Sequence, residues 1–259
     1  MGGSHLVLSC DDLSVPAGAE NIVIRAARAL QKQCAPDKGA YIRLEKRIPS
    51  AAGLGGGSSD AAVTLLALAN LWDTPVSEGE LLEIAGNLGA DVPFFFHGGT
   101  ALATGVGKDI DELPDPPRET FLLVVKPKAS ISTANAYSAL KSRSLTTAEA
   151  KTILSSSQRG EFFDNFDSDA LQNDFEEVVF SLEPEIERAK AALLKAGARA
   201  ALLAGSGSAV FGILDSGDAL ERAIQAIELE AGWRVFPCKT VGRSLNKGAM
   251  GSAGEIFAP

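Results

Sequence analysis

The run Pro49-Ser50-Ala51-Ala52-Gly53-Leu54-Gly55-Gly56-Gly57-Ser58-Ser59-Asp60-Ala61-Ala62 decides how the rest of this chain reads. Before it, Ile42, Leu44, Lys46 and Ile48 alternate with Tyr41, Arg43, Glu45 and Arg47, the period-two pattern of a half-buried strand. After it, Ala61, Ala62, Leu65, Leu66, Leu68, Ala69 and Leu71 continue as an apolar-rich helix. The glycines therefore join a strand to a helix N-terminus, where orphan N–H groups and the positive end of the helix dipole face outward. No side chain at Gly53, Gly55, Gly56 or Gly57 keeps an anion from those N–H groups. The hydroxyls of Ser58 and Ser59 can hold a phosphate oxygen or a metal-bound water. These are the parts of a phosphate cradle. A flexible Gly/Ser linker has similar composition, but a regular element abuts this run on either side. It is not a Walker loop, because no lysine follows the glycines, and the glycines are too dense for the dinucleotide fingerprint.

Taken in order, Leu6–Cys10 reads as a strand, and residues 20–33 as a helix from the spacing of Ile22, Val23, Ala26, Ala27 and Leu30. Ser77 with Glu80 makes a capping box for a helix through Leu88, stopped by Gly89. Pro93 biases Val92 toward an extended shape, so Phe94, Phe95 and Phe96 are predicted to enter the core as a strand. His97-Gly98-Gly99 then turns into Thr100–Ala103. From Phe121 the periodicities run strand (121–126), helix (185–195), strand (199–203), strand (209–214), helix (218–231) and strand (233–237). That is the β-α-β-β-α-β order of a ferredoxin-like unit with a helical insertion after its first strand. The Pro-rich stretch Leu113-Pro114-Asp115-Pro116-Pro117 suits a boundary. The predicted fold class is α+β with two lobes, residues 1–117 and 118–243, followed by a flexible tail over 244–259.

The whole sequence, 259 residues with 46% hydrophobic and 22% charged, describes a globular protein large enough for an adequate core. A net charge of −9 with no basic stripe argues against a duplex nucleic-acid binder. It does not exclude nucleotide binding, because a backbone cradle needs no net positive charge. Three widely spaced cysteines fit neither a metal nor a disulfide pattern and imply a reducing compartment. No run reaches membrane-spanning length.

The string PSAAGLGGGSSDAA resembles the phosphate-binding motif of the GHMP kinases. Its triple glycine and SSDAA ending are most similar to the branch that phosphorylates 4-diphosphocytidyl-2-C-methyl-D-erythritol. The resemblance implies a two-lobed fold, with an N-terminal lobe like ribosomal protein S5 domain 2 and a ferredoxin-like C-terminal lobe. It implies ATP with Mg²⁺ over Lys46, Pro49, Gly53, Leu54, Gly55, Gly56, Gly57, Ser58 and Ser59, the two serines assisting the metal. The segment Glu20-Asn21-Ile22-Val23 resembles the family's adenine-pocket lining, with Asn21 pairing to the base edge, although an ordinary helix start reads the same way. Gly89-Ala90-Asp91-Val92-Pro93-Phe94-Phe95-Phe96 resembles a second family string and makes Asp91 the catalytic base. Taken alone, an aspartate near a helix end also suits local backbone hydrogen bonds.

Leu203-Ala204-Gly205-Ser206-Gly207-Ser208-Ala209-Val210-Phe211 resembles the family's third motif, a turn closing over the reacting phosphate. Its residues alone also suit a tight hairpin. Ser130–Tyr137 resembles a substrate segment in which Thr133 contacts the acceptor and Tyr137 covers a cytosine ring, or else packs in the core. Asp60, Gly205, Ser206 and Gly207 complete the implied substrate set. Asn173-Asp174 match the family in type without an assigned role. The implied partner is a small cytidine diphosphate derivative, with no nucleic acid or membrane, for a monomer or homodimer of bacterial cytoplasm or plastid stroma. A homoserine or mevalonate kinase, and a non-catalytic nucleotide-binding protein, are the alternatives. Family members carry a leader with an Ala-Lys-Ile-Asn-like string, whose lysine sits beside the catalytic aspartate, and a Gly-Tyr-His-like cytosine string. Nothing in residues 1–18 resembles either, so an N-terminal lobe incomplete at its start, with an exposed sheet edge, is expected.

Overall fold

The computed structural model describes residues 3–104, 107, 109–116, 118–140 and 171–249. They divide into two compact units, each with its own core. The first holds the described residues of Met1–Ser50, Gly55–Asp115 and Gly242–Pro259, and the second Ala51–Leu54 and the described residues of Pro116–Val241.

In the first unit, β1 (Leu6–Cys10) lies parallel to β2 (Ala40–Leu44) in register from Leu6↔Ala40 to Cys10↔Leu44. A parallel pair needs a crossover, supplied by α1 (Ile22–Cys34). Helix α2 (Gly56–Trp72) packs on α1, and Ala26, Ala27, Ala61 and Ala62 at that core are fully buried. Small side chains let the two backbones approach, while Leu30, Leu65 and Phe96 fill the remaining space. Helix α3 (Glu78–Leu88) begins with the predicted capping box of Ser77 and Glu80.

The chain then differs from its sequence reading. Phe94–His97 is not a strand but a one-turn helix, α4, entered through Pro93 at φ −58° and ψ −35°. A proline's fixed φ is compatible with a helix start, and three consecutive phenylalanines carry no period to oppose it. Strands β3 (Thr100–Thr104) and β4 (Asp109–Leu113) pair antiparallel.

The second unit is the ferredoxin-like fold expected from the periodicities. Strands β5 (Phe121–Lys126), β6 (Ala200–Leu203), β7 (Val210–Leu214) and β8 (Arg234–Lys239) form one sheet in the order β6-β7-β5-β8, antiparallel throughout. Helices α5 (Thr133–Leu140), α6 (Phe175–Leu182), α7 (Pro184–Lys195) and α8 (Gly217–Ala226) belong to the same unit. The insertion expected between β5 and α7 lies partly outside the described residues.

Strand alternation sorts the two faces of this sheet. Leu123 and Val125 join Ile186, Ala189, Leu193 and Ala223 of α7 and α8 in one core. Val124 points the other way and packs with Ala52, Ala204 and Ala209, against which Leu54 and Phe211 also rest. Ala51–Leu54, read with the first lobe, thus cover a face of the second unit's sheet. A second correction concerns the tail. Arg243–Ala249 form a helix, α9, within the first unit. Arg243 holds it through its backbone N–H to Asp115 Oδ2 (2.6 Å) and its Nη2 to the Thr100 carbonyl (2.8 Å). The rest of that expected tail, 250–259, lies outside the described residues.

Candidate active site

Strand β2 stops at Leu44, and the next eleven residues carry no regular structure until α2 opens at Gly56. The helix therefore begins five residues before Ala61, inside the glycine run itself. Its N-cap, Gly55, sits at φ 68°, ψ 11° and offers no side-chain acceptor, and no acidic residue stands in the first turn. Helices α1, α3 and α8 are each capped by a side chain, from Asn21, Ser77 and Ser216. The entrance of α2 is instead left as bare N–H groups with the dipole unopposed, an arrangement suited to an anion. The space around the glycines is tight on some sides. A Cβ on Gly55 would meet the Phe95 ring at 2.8 Å, and one on Gly56 would meet Ile48 Cγ2 at 2.9 Å. On Gly57 the nearest atom would be Ile22 Cγ2 at 3.7 Å, an ordinary van der Waals contact that a methyl can make.

Lys46, two residues beyond β2, turns its ammonium inward to Asp60 Oδ2 at 2.6 Å, the lysine side chain being 6% exposed and the aspartate 22%. Asp11 accepts from the Lys46 backbone N–H at 2.8 Å and fixes the bend. Asp91 stands in the turn between α3 and α4, exposed, its carboxylate without a hydrogen-bond or ion-pair partner among the described residues. Asn21, expected at an adenine edge, is 6% exposed and committed to the backbone. Its Oδ1 accepts from Val23 N–H at 2.8 Å and its Nδ2 donates to the Pro16 carbonyl at 2.6 Å. That is helix capping.

In the second unit, Ala51–Leu54 lie against the Ala204–Ala209 loop joining β6 to β7. Ala209 N–H donates to the Ala52 carbonyl at 3.0 Å, and Gly53, at φ 73°, lies so close to Ala204 that any Cβ would clash with its carbonyl oxygen. With six residues between the paired ends, the loop is wider than the tight hairpin its Gly-Ser content suits. Ser206 Oγ donates to Thr133 Oγ1 at 3.2 Å, bringing the loop to the start of α5. Ser208, fully buried, donates from its hydroxyl to the Ala129 carbonyl at 2.8 Å. The Lys126 ammonium donates to the carbonyls of Pro127 (2.7 Å) and Ala129 (2.9 Å), while Glu185 accepts from the N–H groups of Lys128 and Ala129. The segment leading into α5 is thereby tied to the β6–β7 loop, to β5 and to α7. Tyr137 is 50% exposed and not a core residue, with its ring edge-on to Phe175 at 4.8 Å.

Residues 21–99 match the family model of the GHMP kinases N terminal domain, and residues 154–232 that of the GHMP kinases C terminal domain. The chain is a member of the GHMP kinase family. This GHMP kinase is 42% identical over 229 residues to 4-diphosphocytidyl-2-C-methyl-D-erythritol kinase of Synechococcus sp. (strain JA-3-3Ab), covering 85% of the chain and 72% of that relative. It is 39% identical over 241 residues to the enzyme of the same name from Syntrophotalea carbinolica, covering 92% and 83%. A crystal structure of 4-(cytidine 5'-diphospho)-2C-methyl-D-erythritol kinase superimposes with a TM-score of 0.71 at 35% identity, covering 93% of the chain and 83% of that structure. Homoserine kinase from Cytophaga hutchinsonii shares the fold, with a TM-score of 0.73 at 21% identity.

Among the described residues of this GHMP kinase, no cluster of three or more His, Cys, Asp or Glu could hold a metal ion, and no helix is long and apolar enough to cross a membrane. Sequence reasoning left Asn173 without a role. The structure gives it three hydrogen bonds, one to the end of β6, one to the glycine-rich loop and one from the start of α6. Leu203 and Gly205 lie 30 and 32 residues ahead, so no local pattern announces them.

Proposed function

We infer that this chain is an ATP-dependent kinase whose acceptor is the 2-hydroxyl of 4-diphosphocytidyl-2-C-methyl-D-erythritol, an intermediate of non-mevalonate isoprenoid precursor synthesis. The transfer chemistry rests on one observation above the rest. Helix α2 opens on three successive glycines with no capping side chain and no acid in its first turn. The acceptor rests on the 42% and 39% identities to kinases named for it.

ATP enters with Mg²⁺ as co-substrate, and the ion offsets part of the phosphate charge. The N–H groups of Gly56, Gly57 and Ser58 receive the phosphates, with Pro49, Gly53, Leu54 and Gly55 shaping the bend. Ser58 and Ser59 offer hydroxyls to a phosphate oxygen or to a water of the magnesium. Lys46 contributes a positive charge beside Gly56, tempered by Asp60. Asp91 accepts the proton of the acceptor hydroxyl as its oxygen bonds to the γ-phosphorus and the bond to the ADP oxygen breaks. Such transfer depends mainly on positioning and charge stabilisation. Thr133, Tyr137 and Gly205, Ser206 and Gly207 hold the acceptor, and the half-exposed Tyr137 ring offers a stacking face to cytosine. With that pathway goes the assignment to bacterial cytoplasm or plastid stroma.

The test supplies the chain and MgATP with 4-diphosphocytidyl-2-C-methyl-D-erythritol, homoserine or mevalonate, and follows ADP release and the ³¹P spectrum of the product. ADP and a new phosphomonoester should arise with the cytidine substrate alone. Turnover with homoserine or mevalonate instead would reassign the acceptor. Calorimetric binding of ATP without transfer to any acceptor would make the protein a non-catalytic nucleotide binder, and no ATP binding would end the kinase reading.

A further inference from the structure

Asn173 stands just before α6, with its side chain partly buried. Its Nδ2 donates to the carbonyls of Leu203, at the end of β6 (2.9 Å), and of Gly205, in the glycine-rich loop (2.8 Å), and its Oδ1 accepts from Phe175 N–H at 3.0 Å. Glu176 Oε1 accepts from Leu203 N–H at 2.9 Å, and Lys190 steadies that carboxylate at 2.7 Å from its Oε2. The segment 173–176 therefore grips the loop through both donors and acceptors. It also carries Phe175, whose ring meets Tyr137 edge-on. Gly205, exposed and at φ 51°, has no side chain of its own to hold that conformation. Ser206, one residue on, is the one that reaches Thr133.

We propose that Asn173 is a positioning residue for the acceptor substrate: it fixes the Gly205–Gly207 backbone and, through Phe175, sets the Tyr137 ring in the same frame. The proposal rests on the assignment of Thr133, Tyr137 and Gly205–Gly207 to the acceptor. The chemistry requires an amide. Two carbonyls face one nitrogen with two N–H groups, and the amide oxygen meets a backbone N–H. A carboxylate of the same shape keeps the bond to Phe175 but sets an oxygen against both carbonyls.

Asn173→Asp, Asn173→Ala and the wild-type chain are compared by steady-state kinetics with each substrate varied, thermal unfolding, and amide hydrogen exchange across residues 203–209. Asn173→Asp should raise the acceptor KM by about tenfold, as expected when two hydrogen bonds are lost and an oxygen is set against both carbonyls. The ATP KM should move by no more than about twofold, while exchange at Gly205 and Gly207 accelerates. Asn173→Ala, which leaves both carbonyls open to water, should fall between the two and serves as the readout if Asn173→Asp does not fold. An unchanged acceptor KM, or parallel rises in both KM values tracking lost thermal stability, overturns the proposal. Wild-type inactivity toward the cytidine acceptor would instead strike the functional assignment, whereas unaltered exchange in the loop would strike the positioning role alone.

Discussion

Lys46 Nζ lies 2.6 Å from Asp60 Oδ2, joining the exit of the first parallel strand pair to the opening turns of the helix that carries the glycine run. From sequence the two residues belong to different ligands, lysine to the nucleotide and aspartate to the acceptor. Folding makes them one unit. Removing one partner of a buried pair strands the other charge, at about 3–5 kcal/mol when burial is complete. With Asp60 still 22% exposed, Lys46→Met is expected to cost less, about 1–3 kcal/mol, because water screens the orphaned carboxylate. A double-mutant cycle with Asp60→Asn, read by urea unfolding, should give a coupling energy above about 0.5 kcal/mol. Additive single effects would show that the contact carries no energy.

Gly53 and Gly57 should separate architecture from ligand binding. Gly53 has φ 73° and backbone contact with Ala204, so Gly53→Ala must displace one of the two loops. Its left-handed backbone alone costs about 1–2 kcal/mol with a side chain, and unfolding should reveal a larger loss from the clash. Gly57 is helical, exposed and unobstructed, so Gly57→Ala should leave stability equal or raise it by up to about 1 kcal/mol. Yet the added methyl stands beside the N–H groups assigned to phosphate, and ATP affinity measured by calorimetry should fall. Unchanged ATP affinity in Gly57→Ala would move the phosphate site elsewhere.

The period-two and helical patterns made the β-α-β-β-α-β order of the second unit legible, because its helices carry apolar residues at helical spacing and its strands short apolar runs. What failed did so for physical reasons. The alternation from Tyr41 to Ile48 promised a longer strand, but β2 ends at Leu44 where its partner ends at Cys10. Beyond that point the same alternation serves to aim Lys46 at Asp60 and Ile48 at Gly56. Asn21 did carry the mark of a helix N-cap, a side-chain oxygen directly before an apolar periodic run, and capping is what its amide does. Asn173 bonds across thirty residues of sequence, so its role emerged only with the fold.

Lys126 supplies a pH test. The residue is 8% exposed, and burial pushes its pKa below the ordinary 10.5, against the pull of Glu185 and with a smaller push from Arg234. Between the lowered folded value and 10.5 the unfolded chain holds the extra proton. Unfolding free energy contributed by this group therefore rises with pH across that window and is least below it. Urea unfolding of wild type and Lys126→Met, over a series of alkaline pH values up to 10.5, should show the wild type gaining on the variant as pH rises. A constant gap would mean that the amine titrates alike in both states.

Asp91 has neither an ion-pair nor a hydrogen-bond partner among the described residues, and it is exposed in the turn that Gly89 and Pro93 bracket. A carboxylate used for local structure would be engaged with nearby backbone N–H groups; this one accepts from none of those among the described residues. Asp91→Asn preserves the shape of the side chain while removing its ability to take a proton. Unfolding midpoint and ATP affinity should therefore hold, because no contact of its carboxylate with the described residues is lost. Turnover with the cytidine acceptor should fall roughly a hundred- to ten-thousand-fold, the contribution of a positioned general base. A loss of only a few-fold at saturating substrates would take the proton-accepting role away from Asp91 and leave the transfer to positioning by the phosphate loop.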